Sequence, residues 1–192
     1  MSASSYGIIV EGAYDSAVYE AFIQKLSPNA PIRPLTCGGK TELMKKFPGF
    51  LKAFEFELAG GPVDMAVVIR DADGKNPEEI EAQMASKIAG RQYPFALGVQ
   101  FFAVPQALES WLLADVSALN VVSQRRGGKR VTKSHDAPET LYNPKEWLGE
   151  LLIDHNLDYT AALAREIALE INLDELSKRC PRFRVFSERV DC

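Results

Sequence analysis

The sequence predicts an α/β protein with a mostly parallel four-stranded sheet, helices on both faces and a helical C-terminal extension. Short apolar runs alternate with helical stretches through the first two thirds of the chain. Such alternation favours a parallel sheet that helices cover on both sides. From about residue 117 helical segments follow one another without an intervening strand. We therefore expect a core at residues 1–116 and, packed on it, a basic loop with helices at residues 117–192.

Four segments are predicted to be strands. The clearest is the apolar run MAVVI at Met65–Ile69, and Tyr6–Val10 and Val99–Val104 have the same short, bounded character. Ile32–Cys37 contains Pro34, which has no backbone N–H to donate, so this segment is expected at an edge of the sheet.

Helices are predicted between and after these strands. Pro48 is expected to interrupt the second of them, because proline cannot donate the helical hydrogen bond. The predicted helical segments are Asp15–Leu26, Thr41–Leu58, Pro77–Ala89, Ala107–Asp115, Pro144–Ile153, Tyr159–Ile171 and Leu173–Cys180.

Composition limits the class of protein. The chain has 192 residues, 46% hydrophobic and 25% charged, which is typical of a globular domain. A net charge of −4 argues against a protein that coats nucleic acid by bulk electrostatics. The three cysteines form no CxxC pair, and the N-terminus has neither a basic signal region nor a membrane-length apolar run. We expect a cytoplasmic protein that has no membrane partner.

Acidic residues follow three of the predicted strands. Glu11 comes directly after the first strand, Asp71 and Asp73 follow Met65–Ile69, and Glu109 lies just after the fourth strand. The carboxyl ends of parallel strands meet at one edge of a sheet, where functional groups gather. We therefore expect Glu11, Asp71 and Asp73 to converge.

Carboxylates held this close repel one another unless a cation or protons neutralise them. Hard oxygen ligands suit Mg²⁺ or Mn²⁺, which support phosphoryl transfer and phosphodiester hydrolysis. The alternative is that Asp and Gly after a strand are ordinary turn residues. The coincidence at two strand ends favours the metal site.

The order strand–Glu11-Gly12–helix, then strand–Asp71-Ala72-Asp73–helix, resembles the Toprim fold of topoisomerases, primases and the nuclease domains of OLD-type proteins. A closer resemblance is to DUF4276, a family of bacterial Toprim-like proteins. Three stretches carry this resemblance: Ile9–Asp15 (IVEGAYD), Pro105–Asp115 (PQALESWLLAD) and Tyr159–Phe183, which ends in Cys-Pro-Arg-Phe.

The resemblance implies a metal-dependent enzyme that acts on nucleic acid, with DNA favoured over RNA. In that case the catalytic residues are Glu11, Asp71 and Asp73, and Glu109 is a further metal ligand beside them. OLD-type Toprim domains work beside ATPase domains, so the resemblance also suggests an ATPase partner and a setting in phage defence or DNA repair. The chain has neither the tyrosine context of topoisomerases nor a zinc module of the primase kind.

Two alternatives belong to other classes. The chain could be a non-catalytic Toprim-like module that binds metal or nucleic acid and docks on an ATPase. The run VVIRDADG also resembles the nucleophile motif of HAD-type phosphatases, although Lys75 stands where that family has Thr or Val. That interpretation leaves Glu11 unexplained, so a phosphatase ranks third.

Basic residues near the predicted site could hold the phosphates of nucleic acid. The run Cys37–Thr41 (CGGKT) is not a phosphate-binding P-loop, because Pro34 stands where that motif needs its first glycine. The glycines and Lys40 could still contact a phosphate at the start of a helix. A second basic group is equally compatible with a solvated loop; its members are Arg125, Arg126, Lys129, Arg130 and Lys133.

Overall fold

A computed structural model describes residues 4–56, 61–133 and 135–191. Within these ranges no helix is long and apolar enough to cross a membrane. A short 3-10 helix spans Pro138–Thr140. The elements follow in the order β1 (Tyr6–Val10), α1 (Ala13–Leu26), β2 (Ile32–Thr36), α2 (Lys40–Ala53), β3 (Met65–Asp71), α3 (Pro77–Lys87), β4 (Val99–Val104), α4 (Glu109–Leu112), α5 (Val116–Arg125), α6 (Pro144–Asp154), α7 (Ala161–Glu170), α8 (Leu173–Arg179) and α9 (Pro181–Val190).

The strands form one parallel sheet in the order β2-β1-β3-β4. The predicted α/β class is confirmed, and the fold is Toprim-like with a helical C-terminal region. β2, which contains Pro34, is an edge strand as predicted. β3 extends two residues beyond the predicted Ile69, because Arg70 and Asp71 continue the ladder opposite Ala103 and Val104. Asp71 is therefore the last residue of a strand and not the first of a loop.

The sheet separates two hydrophobic layers, as the alternation of side chains along a strand requires. On one face Ile8 and Val67 pack with α1 and with the helices of the C-terminal region. On the other face Ile9 and Val68 pack with α2 and α3. The boundary at residue 116/117 stays a prediction, although both predicted parts contribute to the first layer.

The predicted interruption at Pro48 is wrong. α2 continues through Pro48 without a break. The flanking side chains of Phe47 and Leu51 are fully buried against the sheet, and this packing outweighs the loss of one helical hydrogen bond. The helix ends at Ala53, short of the predicted Leu58; residues 57–58 of that segment lie outside the described residues.

Side chains cover the outer edge of β4. The backbone N–H of Ala103 donates to Glu81 of α3, and the carbonyl of Ala103 accepts a hydrogen bond from Arg182 of α9. Arg189 donates to the carbonyl of Phe101. Arg182 and Arg189 also form ion pairs with Glu81, whose side chain is only 13% exposed. These contacts occupy backbone N–H and carbonyl groups of β4 that could otherwise pair with a strand of another molecule.

Replacing Glu81 with alanine should lower the free energy of unfolding by about 2–4 kcal/mol, since it leaves two partly buried arginines and the Ala103 N–H without this acceptor. Chemical denaturation measures the effect. Glu78 also pairs with Arg182, but its side chain is 66% exposed. Glu78→Ala is the matched control and should cost less than about 1 kcal/mol. Equal losses for the two variants would contradict this account of the edge.

Candidate functional site

The carboxyl ends of β1 and β3 bring Glu11 and Asp71 together. Glu11 follows β1 directly, and β1 and β3 are parallel neighbours. The Oε1 atom of Glu11 accepts a hydrogen bond from the backbone N–H of Asp71 at 3.1 Å. The Oδ1 atom of Asp71 in turn accepts one from the N–H of Leu108 at 3.2 Å. The predicted convergence of these two residues is thus a feature of the structure.

The glycine pair before α2 holds the backbone of Glu11. The N–H groups of Gly38 and Gly39 both donate to the Glu11 carbonyl at 2.9 Å. Their φ angles of 87° and 115° lie in a region that glycine adopts without strain. These two N–H groups are therefore used within the protein, contrary to the expectation that they could contact a phosphate. They fix the chain where Glu11 leaves the sheet.

Glu109 is the third carboxylate of the site, and it is buried. It begins α4 and is only 4% exposed. Its Oε1 atom accepts a hydrogen bond from the hydroxyl of Tyr159 at 3.0 Å. Tyr159 lies just before α7, so a residue of the C-terminal region orients a carboxylate of the core.

Asp15 is a fourth carboxylate that the sequence analysis missed. It lies in the first turn of α1, and its Oδ2 atom accepts a hydrogen bond from the N–H of Gly12 at 2.8 Å. A signal was available, because Asp15 begins the helix predicted after the first strand, and that helix starts at the same end of the sheet as Glu11.

Burial and the neighbouring carboxylates oppose the ionisation of Asp71 and Asp15. Burial raises the pKa of Asp71 well above its usual range, and the charges of Asp15, Glu11 and Glu109 raise it further, while Lys40 lowers it. Burial, followed by Glu11 and Glu109, raises the pKa of Asp15 to about 6. A site with this balance favours a cation.

Asp73 is placed differently from Asp71. Its φ of 50° shows that the chain has left the extended conformation, so strand alternation does not align the two aspartates. Asp73 forms an ion pair with Lys40, and its side chain is 53% exposed. It nevertheless lines the same cavity as Glu11 and Asp71. The structure thus places Asp73 and Lys40 together at the rim.

The acidic residues line a cavity of about 750 Å³. Its lining includes Glu11, Asp15, Asp71 and Glu109. Residues 142–146, which span the start of α6, contribute a further part of the lining. A cavity of this size holds a small organic molecule.

The donor set fits a hard divalent ion such as Mg²⁺ or Mn²⁺. Tyr19, which is 1% exposed, has a buried hydroxyl without a hydrogen-bond partner in the described part of the chain. Burial and then Asp71, Asp15, Glu11 and Glu109 raise the pKa of Tyr19, so this hydroxyl lies within the field of the carboxylates. A buried polar atom of this kind calls for a water or an ion-bound water.

Among the described residues, no group of three or more His, Cys, Asp or Glu side chains is arranged to hold a metal ion directly. Mg²⁺ commonly uses only one or two carboxylates and keeps several waters, so this spacing is compatible with it.

The basic residues after residue 124 form internal ion pairs. Arg125 pairs with Glu170 at 2.6 Å, and Arg126 pairs with Glu166. Lys133 lies 3.7 Å from Asp154, and Lys129 and Arg130 are exposed. Within the described residues, none of the five predicted nucleic-acid contacts lines the cavity. Their role in binding stays a prediction.

Comparison with known proteins adds a family and a fold. The family model DUF4276, a domain of unknown function, matches residues 10–191. A solved structure, the C-terminal region of the Burkholderia pseudomallei OLD protein, is similar with a TM-score of 0.51 at 16% identity, over 100% of this chain and 98% of that chain. No curated protein sequence matches the chain.

The raised pKa of Asp15 makes the stability of the metal-free protein depend on pH. The folded state binds this proton more tightly than the unfolded state, so the contribution of Asp15 to stability is fully present below about pH 4 and is lost as the pH rises through about 6. In EDTA, the free energy of unfolding of Asp15→Asn should decrease by about 2 kcal/mol less than that of the wild type between pH 4 and pH 7. Chemical denaturation at each pH measures this difference.

Asp154→Asn, which changes an exposed carboxylate on α6, is the control. Its free energy of unfolding should depend on pH as that of the wild type does. Parallel curves for wild type and Asp15→Asn would mean that the Asp15 carboxyl is not destabilised by its neighbours.

Proposed function

We propose that this chain, which belongs to the DUF4276 family, is a metal-dependent phosphodiesterase acting on nucleic acid, a nuclease for which DNA is the favoured substrate. The observation that carries the proposal is the set of carboxylates of Glu11, Asp15, Asp71 and Glu109, which line one open cavity at the end of the sheet. Burial, followed by neighbouring carboxylates, raises the pKa of Asp15 and of Asp71. Charge of this kind is costly to the fold, and a divalent cation would offset it.

Glu11 and Asp71 are the residues that would hold Mg²⁺ or Mn²⁺, with Glu109 and Asp73 as further ligands. When bound, such an ion supplies charge for the phosphate oxygens and lowers the pKa of a water. The protein's part is to fix the carboxylates: the Asp71 N–H orients Glu11, the Leu108 N–H orients Asp71, and the Tyr159 hydroxyl orients Glu109.

Lys40 and Asp73 act as a pair in this proposal. Lys40 forms an ion pair with Asp73 at the rim of the cavity. If Asp73 held a divalent ion, its carboxylate would no longer neutralise Lys40, and the Lys40 ammonium would be free to contact a phosphate of the substrate. This exchange of partners would couple binding of the metal ion to binding of the nucleic-acid strand.

A second candidate function is a non-catalytic module that binds metal or nucleic acid and docks on a partner ATPase. It is favoured by one observation, namely that no three acidic, His or Cys side chains of the described ranges are arranged to hold an ion directly. A docking partner could complete such a site. The resemblance to OLD-type proteins supports an ATPase in this role, in phage defence or DNA repair.

The proposal predicts cleavage of DNA in Mn²⁺ or Mg²⁺ that ends in EDTA. Asp71→Asn and Glu11→Gln should each reduce the rate by at least about a hundredfold, since each removes a ligand charge and keeps the shape. Asp154→Asn should cleave at the wild-type rate. The readout is the loss of end-labelled single-stranded and duplex DNA, with matching RNA strands.

Calorimetric titration of Mn²⁺ separates the two candidate functions. Metal binding with no turnover, and activity that appears only with an ATPase present, would favour the module. Cleavage that survives Asp71→Asn unchanged would exclude this site as the catalytic centre.

A further inference from the structure

An exposed aromatic ring faces the cavity from the side of α6. Tyr142 is 80% exposed, the highest value among the exposed large hydrophobic residues of the described chain. It is also a lining residue of the cavity that contains Glu11 and Asp71. Other strongly exposed large residues, such as Phe56 at 72% and Ile153 at 69%, do not line this cavity. An aromatic ring displayed in this place has a flat face that can receive a ligand.

The local backbone holds Tyr142 at the entrance to α6. Asn143 has a φ of 51°, in the left-handed region, and Pro144 occupies the first turn of the helix. This abrupt start leaves the preceding residue outside the helix, beside the cavity. The left-handed conformation is one that Asn adopts more readily than most residues.

A cation and a second aromatic ring accompany Tyr142. The ammonium of Lys145 lies 5.5 Å from the centre of the Tyr14 ring, and both residues line the cavity. Tyr14 is in turn fixed by its ring contact with Tyr159 at 5.1 Å and by its hydroxyl, which donates to the Tyr159 carbonyl at 3.3 Å. This part of the lining therefore offers aromatic surface and the ammonium of Lys145; it also contains Glu146, whose carboxylate accepts a hydrogen bond from the Asn143 side chain.

We propose that Tyr142 stacks on an unpaired nucleobase, so that the substrate class of this site is a single strand or an unpaired end. This inference rests on the proposed function and deepens it. A base stacks freely on a protein ring only when its face is not covered by neighbouring bases, which selects unpaired nucleotides. Lys145 contacts a phosphate of the same strand, and the strand's phosphodiester lies towards Glu11 and Asp71.

The dimensions and charges of the cavity favour this occupant. About 750 Å³ is within the range of pockets that take one small molecule, and one nucleotide is of that size. The protein is acidic overall, and the five basic residues of the loop after residue 124 do not line the cavity in the described ranges. Stacking of a nucleobase on Tyr142 therefore supplies binding free energy that the net charge of the protein does not.

The test compares binding of a fluorescein-labelled 12-nucleotide DNA strand with binding of the same strand in a duplex. Fluorescence anisotropy is measured with the full chain in Ca²⁺, and cleavage is measured in parallel in Mn²⁺. Tyr142→Ala should weaken single-strand binding by about five- to a hundredfold, the loss of one base–aromatic stack. Tyr142→Phe, which keeps the ring, should stay within about twofold of wild type.

Phe56→Ala is the matched control, because it removes an equally exposed aromatic ring away from the cavity. It should leave both affinities unchanged, and duplex binding should change less than about twofold in every variant. Equal single-strand affinities of Tyr142→Ala and Phe56→Ala would overturn the inference. It would also be overturned if Tyr142→Ala lost as much affinity for the duplex as for the single strand. Circular dichroism confirms that each variant is folded.

The two proposals fail in different ways. If no ion supports cleavage but Tyr142→Ala still weakens single-strand binding selectively, the stacking site stands and the nuclease fails. If Mn²⁺ supports cleavage and Tyr142→Ala binds and cleaves single strands like wild type, the nuclease stands and the stacking site is overturned. A chain that binds neither form of DNA overturns the stacking site and supports a protein partner for Tyr142 in its place.

Discussion

Repulsion between buried carboxylates is the constraint on which the site depends. Asp15 and Asp71 are held near Glu11 and Glu109 although burial and these neighbouring charges disfavour the ionised form of both aspartates. Hydrogen bonds from backbone N–H groups and from Tyr159 fix their positions without neutralising them. Strain of this kind persists where the surrounding fold over-determines the geometry, and it is characteristic of functional sites.

The parallel sheet fixes the positions of two of these carboxylates. β1 and β3 are adjacent central strands, so Glu11 and Asp71 are attached to strands that pair with a neighbour on each side. The Gly38–Gly39 turn adds two hydrogen bonds to the Glu11 carbonyl. A functional group carried by strand ends is positioned more accurately than one on a free loop, because the ladder fixes its backbone.

The C-terminal region is part of the site as well as of the core. Its helices cover one face of the sheet and the outer edge of β4. Tyr159 orients Glu109, and residues 142–146 line the cavity opposite a surface that belongs to the N-terminal elements. Removal of this region would therefore expose apolar surface and leave the carboxylates without one of their supports.

The sequence by itself determined the strands, the parallel α/β class and the meeting of Glu11 with Asp71. Periodicity and apolar runs are local signals, and parallel strands place their carboxyl ends at one edge. Only the tertiary structure decided that α2 runs through Pro48, that Asp73 turns to Lys40, and which residues of the C-terminal region reach the cavity. The contact between Tyr159 and Glu109 spans 50 positions of the chain, and packing between helices far apart in sequence creates it. No local pattern encodes such a contact.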